Sequence, residues 1–390
     1  MIDALRRFLL FVAVFAAFSP SFADEPSVNS AAHRCDFEAP FDGSLLTVPI
    51  TFGNEIYTFA IDTGSPETVC DIAMRFVLGG RQSALMSLRK PYLIEFFRTP
   101  VAHVGKLNVT SRSGGFVCMD MRTLREQNHG RICGLLGMSF LKDHVIRLDP
   151  EKHRLSFLHS AGPHPGTAIA IKDVDGWPTV NAEIPGLGPV DFIIDTGCIG
   201  SGSGTLSRDS FKSLRQLGLM QEVGRGVSSG VAGVSEFQLG ALDSLSLGPF
   251  KHSDVILATE DDERPNVLGL NFWSRYVVTF DFPGRTMFLI PAKSREKFLD
   301  MDVSGLSLSL EAGHVVVKDV EAGGPAALGG VRIGDAILSV GSCDATKAPF
   351  AAVTRAFCVS GRRLQVSISR GKQRLSLLLE MDPEKLPCGN

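Results

Sequence analysis

Tryptophan (2) and tyrosine (3) are scarce in this 390-residue chain, and neither sign of charge dominates: 39 Lys and Arg stand against 42 Asp and Glu, for a net charge of −3. A near-neutral chain lacks the basic footprint that nucleic acid or an acidic membrane surface demands. Metal-ligand spacings of the CxxC or HExxH kind are missing, and the nine histidines are scattered, so the sequence calls for no metal and no cofactor. Long apolar runs are missing too. The one candidate, Phe8 to Phe18, is too short to span a bilayer. It follows Arg6-Arg7 and precedes Ser21-Phe22-Ala23, the order of a secretory signal with its cleavage site. Residues 1–23 are therefore expected to be removed, leaving Asp24 first in an exported protein, periplasmic or secreted, that no membrane holds. Residues 24–40 are the only stretch available for a pro-segment. All eight cysteines follow the cleavage site. An oxidising compartment permits disulfides among them, with the pairing left open.

What is abundant is glycine (40) and phenylalanine (26), which suits a mainly β fold with tight turns. The length predicts two or three domains. A repeat marks two of them. "FAIDTGSPETV" (59–69) returns as "FIIDTGCIGSG" (192–202), and the offset from Asp62 to Asp195 is the same as that from Gly53 to Gly186. "GLLGMSFLKDHVIRLD" (134–149) returns as "NVLGLNFWSRYVVTFD" (266–281), shorter in offset by a single position. Short apolar or alternating runs such as "LLTVPITF", "VDFIIDT" and "TMFLIP" predict strands. One helix per unit is expected, near 68–78 and 207–217. The Pro/Gly-rich "HSAGPHPG" (159–166) sets the boundary, giving units 24–160 and 161–293. After a charged connector (291–301) the pattern changes, and a smaller module is expected over 300–384.

One Asp-Thr-Gly is a common accident. Two are not, when each ends an apolar run and each is followed at almost the same interval, Asp62 to Gly137 and Asp195 to Gly269, by two apolar residues and a glycine. Two carboxylates brought close cannot both ionise easily, so they share one proton and titrate as a unit. Such a pair can take a proton from a water with one oxygen and hydrogen-bond a developing oxyanion with the other.

Residues 40–292 resemble the aspartic peptidases, the pepsin and retropepsin group. The resemblance rests on Asp62-Thr63-Gly64 with Leu135-Leu136-Gly137, and Asp195-Thr196-Gly197 with Val267-Leu268-Gly269. It implies two similar retropepsin-like β-barrel lobes fused in one chain, each supplying one catalytic Asp above a ψ-shaped crossing, and endopeptidase action on peptides or proteins. It implies supporting roles for the neighbours. Gly64 and Gly197 allow the turn and offer N–H groups, and Thr63 and Thr196 interlock the lobes. The Ser65 hydroxyl supports the outer oxygen of Asp62. Cys198 stands where the family has Ser, Thr or Ala, and a thiol is a weak donor. Asp195 is therefore expected to be less well supported than Asp62. A mobile hairpin over the cleft is expected at 226–237, and 87–97 with Tyr92 is the counterpart in the first unit.

"VKDVEAGGPAALGGVRIGDAILSVGS" (317–342) resembles a PDZ domain, a small α+β fold. Gly305-Leu306-Ser307-Leu308 is similar to that family's carboxylate-binding loop, which implies capture of protein C-termini. The bilobed core is expected to be complete by about Pro291, with the PDZ separable from it. Two rivals stay open: a non-catalytic peptide-binding protein with a vestigial dyad, and a serine hydrolase built on the GxSxG spacing around Ser228. "EDDER" (260–264) reads as a solvated acidic loop.

Overall fold

In the computed structural model the protein is mainly β, with several sheets and short helices. The structure describes residues 34–86, 93–98, 101–109, 115–158, 164–200, 202–230, 233–253, 255–260, 265–293, 302–358 and 361–381. The expected signal segment (1–23), Tyr92, Cys388, residues 261–264 and most of the 291–301 connector lie outside them. Among the described residues no helix is long and apolar enough to cross a membrane.

The sequence repeat has its counterpart in space. The first unit forms a nine-stranded sheet in the order 81–86, 93–98, 115–119, 69–71, 132–136, 55–61, 47–52, 102–104, 107–108. The second unit follows strand for strand: 220–230, 233–242, 255–260, 204–205, 267–269, 188–195, 177–184, 245–247, 250–252. Its one addition is Lys172–Val174, which pairs with Trp177–Ile184.

A separate six-stranded sheet joins the units, in the order Cys35–Glu38, Arg154–Leu158, Val145–Asp149, Tyr276–Asp281, Thr286–Pro291, Thr167–Ala170. At its centre Arg147 lies opposite Thr279, with Val145 opposite Asp281. Arg147 and Thr279 are also repeat-mates, like Asp149 and Asp281. An antiparallel pair in which a residue faces its own copy places a local two-fold axis through that pair. One buried cluster runs through both units, from Leu46 and Phe59 to Phe192 and Trp273.

The helix expected at 68–78 does not form. Val69–Asp71 is a strand, hydrogen-bonded to Gly134–Leu135 on one side and to Val117–Met119 on the other. Only one 3₁₀ turn follows, Ile72–Met74, with the Asp71 side chain accepting from Ala73 N–H. Sheet pairing on both edges outcompetes a short helix whose stability would rest on local bonds alone. In the second unit the helix spans Arg208–Gln216. Helices at Arg122–Gln127 and Phe350–Arg355 had no expectation.

Residues 302–381 fold around their own buried cluster, which includes Val315, Val353, Phe357 and Ile368. The sheet order is Leu306–Glu311, His314–Val320, Ala336–Val340, Arg362–Arg370, Gln373–Met381. Pro325 opens a helix after Gly324, where its missing N–H costs nothing. The module rests on the first unit: His129 Nε2 lies 2.7 Å from the Ala348 carbonyl oxygen. Gly43 packs so tightly on Arg355 that a Cβ there would lie 2.6 Å from the Arg355 Cβ.

Candidate active site

Each Asp-Thr-Gly ends a strand that runs parallel to the strand of its apolar-apolar-Gly partner. Ile61 lies opposite Leu136, and the Asp62 N–H donates to the Leu136 carbonyl at 3.1 Å. In the second unit Ile194 lies opposite Leu268, and Asp195 opposite Gly269. The crossings exclude side chains. A Cβ on Gly137 would sit 2.1 Å from the Glu67 carbonyl oxygen, and one on Gly269 would sit 2.6 Å from the Cys198 carbonyl oxygen.

The two loops meet across the local axis. Thr63 N–H donates to Thr196 Oγ1 at 3.1 Å, and Thr196 N–H donates to Thr63 Oγ1 at 3.0 Å. The hydroxyls then reach across, Thr63 Oγ1 to the Ile194 carbonyl at 2.7 Å and Thr196 Oγ1 to the Ile61 carbonyl at 2.8 Å. Both threonines are 1% exposed, so every one of these bonds is sheltered from competing water. The lock brings each carboxylate against the other loop. A Cβ built on Gly64 would lie 2.3 Å from Asp195 Cγ, and one on Gly197 would lie 2.5 Å from Asp62 Cγ.

Burial pushes the Asp62 pKa well above the ordinary carboxylate range, and the neighbouring Asp195 charge pushes it further. Burial raises Asp195 too, but backbone donors offset more of it. Its Oδ1 accepts the Gly197 N–H at 2.8 Å and the Cys198 N–H at 3.0 Å, whereas Asp62 Oδ1 accepts the Gly64 N–H at 2.9 Å. The pair shares one proton, and the extra backbone donor favours the charge on Asp195.

Two expectations are corrected here. The Ser65 hydroxyl does not reach Asp62; it donates to the Glu67 carbonyl at 2.7 Å and ties its own loop. Asp195 is not the weaker-supported carboxylate, because its Oδ1 accepts two backbone N–H bonds, from Gly197 and from Cys198. A backbone donor is independent of side-chain identity, so these two bonds do not depend on the residue at position 198 being serine or threonine. Among the described residues the cysteines, Cys198 included, stand outside any disulfide. The Cys198→Ser variant is accordingly expected to keep wild-type melting temperature and near wild-type hydrolysis of peptide. A large fall in either, by thermal melt or initial rate, would show that the thiol itself is needed.

The hairpin Met220–Gly230 with Gly233–Leu242 is the longest in the second unit, and Arg81–Met86 with Leu93–Arg98 holds the matching place in the first. Tyr92 lies outside the described residues. Ser228 lies within the strand Met220–Gly230, and a strand continues past it, so the sharp strand-to-helix elbow that a serine nucleophile requires is missing. Gly305 adopts φ +73° ahead of the strand Leu306–Glu311, which holds Leu306, Ser307 and Leu308 and lies at the sheet edge of the third module. That loop belongs to a sheet of its own and is not part of the dyad's surroundings.

Sequence reasoning missed Trp177, whose indole N–H donates to the Gly64 carbonyl at 2.8 Å. The signal for it was "VDGW": Asp-Gly marks a two-residue hairpin that sets the next residue at the start of a strand.

Residues 180–272 match the family model of the aspartyl proteases. The match supports an aspartyl protease domain and hydrolase chemistry of that kind, and it contains Asp195 and the Val267–Gly269 crossing. No curated protein matches the chain. Among solved structures, a photosystem II D1 C-terminal processing protease is 23% identical over 20% of this chain and 22% of its own, with a TM-score of 0.20. The chain thus spans under a quarter of that protein's length.

Proposed function

We propose that the chain is an exported, single-chain aspartic endopeptidase of two lobes, with a C-terminal PDZ domain that binds the C-termini of substrates or partners. One observation carries the reading: two buried carboxylates, Asp62 and Asp195, each packed against the other's loop glycine by the reciprocal threonine bonds. A purely structural repeat would gain nothing from burying two like charges together, a cost that functional sites accept.

Asp195, ionised, takes a proton from a water molecule as that oxygen attacks the scissile carbonyl carbon. Asp62, protonated, hydrogen-bonds the carbonyl oxygen as negative charge develops on it. The tetrahedral adduct then collapses. Its C–N bond breaks, a dyad proton passes to the leaving nitrogen, and the products are a carboxylic acid and an amine. The dyad ends singly protonated, as it began, and no covalent intermediate forms.

The test is incubation of purified protein with a denatured protein and with short peptides. Cleavage is expected, inhibited by a statine-type mimic of the tetrahedral adduct and indifferent to EDTA and serine-directed reagents. Inhibition by EDTA, or binding of peptides with no cleavage at any pH, would overturn the mechanism; the second outcome would favour a peptide-binding protein.

A further inference from the structure

Trp177 is the first residue of the strand Trp177–Ile184, and it reaches out of its own unit into the other. Its placement begins in the sequence. Asp175 and Gly176 both adopt positive φ, 54° and 87°, as a two-residue hairpin requires. The Gly176 N–H donates to Asp173 Oδ1 at 2.9 Å, and Val174 lies opposite Trp177 as the closing pair. The indole is half-buried, and its N–H meets the Gly64 carbonyl of the first loop.

That carbonyl belongs to the same peptide unit as the Ser65 N–H. Accepting a bond at one end of a peptide unit polarises it and strengthens the donor at the other. The Ser65 N–H donates to the Asp62 backbone carbonyl at 3.3 Å and the Gly64 N–H to Asp62 Oδ1 at 2.9 Å, so the residue that Trp177 holds fixes both the turn and the carboxylate of Asp62. The arrangement is one-sided. At the repeat offset the mate of Trp177 is Ser44, and among the described residues no side chain donates to the Gly197 carbonyl. The first loop is therefore held from the other unit in a way that the second is not.

We infer that Trp177 is a positioning residue: by holding the Gly64–Ser65 peptide from the opposite unit, it aligns Asp62 for proton transfer and sets the two catalytic loops apart. This inference rests on the aspartic peptidase reading. It makes a kinetic signature that a merely packed indole would not. Trp177→Phe keeps an aromatic ring and removes the indole N–H together with the second ring. Its kcat on a short peptide is expected to fall about tenfold, the equivalent of one sheltered hydrogen bond, with KM unchanged. The alkaline limb of the pH–rate profile, where the dyad gives up its shared proton, is expected to move to higher pH, because the Gly64 N–H that supports the Asp62 anion is held less well. An unchanged profile and kcat, or a rise in KM alone, would overturn the inference.

A second readout needs no activity and no Trp177 variant. The chain has two tryptophans, so the full-length protein labelled with ¹⁵N shows two indole N–H resonances. The Trp273 indole donates to the Leu268 carbonyl at 2.8 Å, below the second loop, and serves as the reference. Asp62→Asn is expected to move the Trp177 resonance well beyond any change at Trp273. A Trp177 resonance that stays put overturns the coupling. A wild-type chain without hydrolytic activity overturns the peptidase reading instead, and this resonance then judges the Trp177–Gly64 link by itself.

Discussion

Asp62→Asn is expected to abolish peptide hydrolysis, by about 10³-fold or more in kcat, and at the same time to raise the melting temperature at neutral pH. The two effects have one cause. Burial and the Asp195 charge hold the Asp62 pKa well above that of an unfolded chain, about 3.9. The folded state therefore binds more protons than the unfolded state above that pH, and stability falls as pH rises. The wild type is fully stabilised below the unfolded pKa and loses that stability as pH climbs through the folded one. Asparagine carries no charge, so its advantage is nil near about pH 3, grows upward from about pH 4, and then levels. Asp195→Asn should be as inactive, because it removes the proposed base, with a smaller gain in stability since Asp195 Oδ1 accepts two backbone donors and Asp62 Oδ1 one. Thermal melts at about pH 3 and pH 7 beside initial rates check this. Full activity in either variant would sink the dyad, and a stability loss at neutral pH would show that the pair is not under like-charge strain.

Gly64→Ala should cost about 10²-fold in activity or more while leaving the fold in place. The added methyl would lie 2.3 Å from Asp195 Cγ and 2.4 Å from its Oδ2, distances that no real contact tolerates. The carboxylate cannot swing away freely, because Oδ1 is held by two backbone N–H groups. One loop must back off from the other, and a shift of about an ångström at a proton-transfer site is enough to lose such a factor. Gly197→Ala makes the mirror clash, 2.5 Å from Asp62 Cγ, and should behave alike. Gly80→Ala, with no atom within 4 Å of its Cβ and no positive φ, is the control and should match the wild type. Circular dichroism and kcat/KM for the three variants decide it. Near wild-type rates in Gly64→Ala would mean that the loops do not meet in the active state of the proposed peptidase.

Much of this was legible in the chain because it was written twice. The matched spacing of Asp62 with Asp195, and of Gly137 with Gly269, told which segments are equivalent before any strand was placed. Alternating apolar runs marked the strands on either side of each Asp, since period-2 patterning is a local property. The same locality explains the failures. The 68–78 stretch has an apolar spacing compatible with a helix, but Val69–Asp71 lies between two sheet strands. Nothing local announces partners as far along the chain as Val117 and Gly134.

The order of residues alone specified the chemistry on offer: two Asp-Thr-Gly turns, the glycines that let them be tight, and a mainly β chain. How the turns face each other was settled only when the chain folded. Folding exchanged the threonine bonds, set each glycine against the opposite carboxylate, turned Ser65 away from Asp62, and gave Asp195 a second backbone donor at Cys198. It also made two equivalent loops unequal, by sending Trp177 to one of them and not the other. The difference is one of range. Strand period and turn chemistry are fixed by neighbours within a few positions, whereas the field and hydrogen bonds at a buried carboxylate depend on groups brought in from anywhere along the chain.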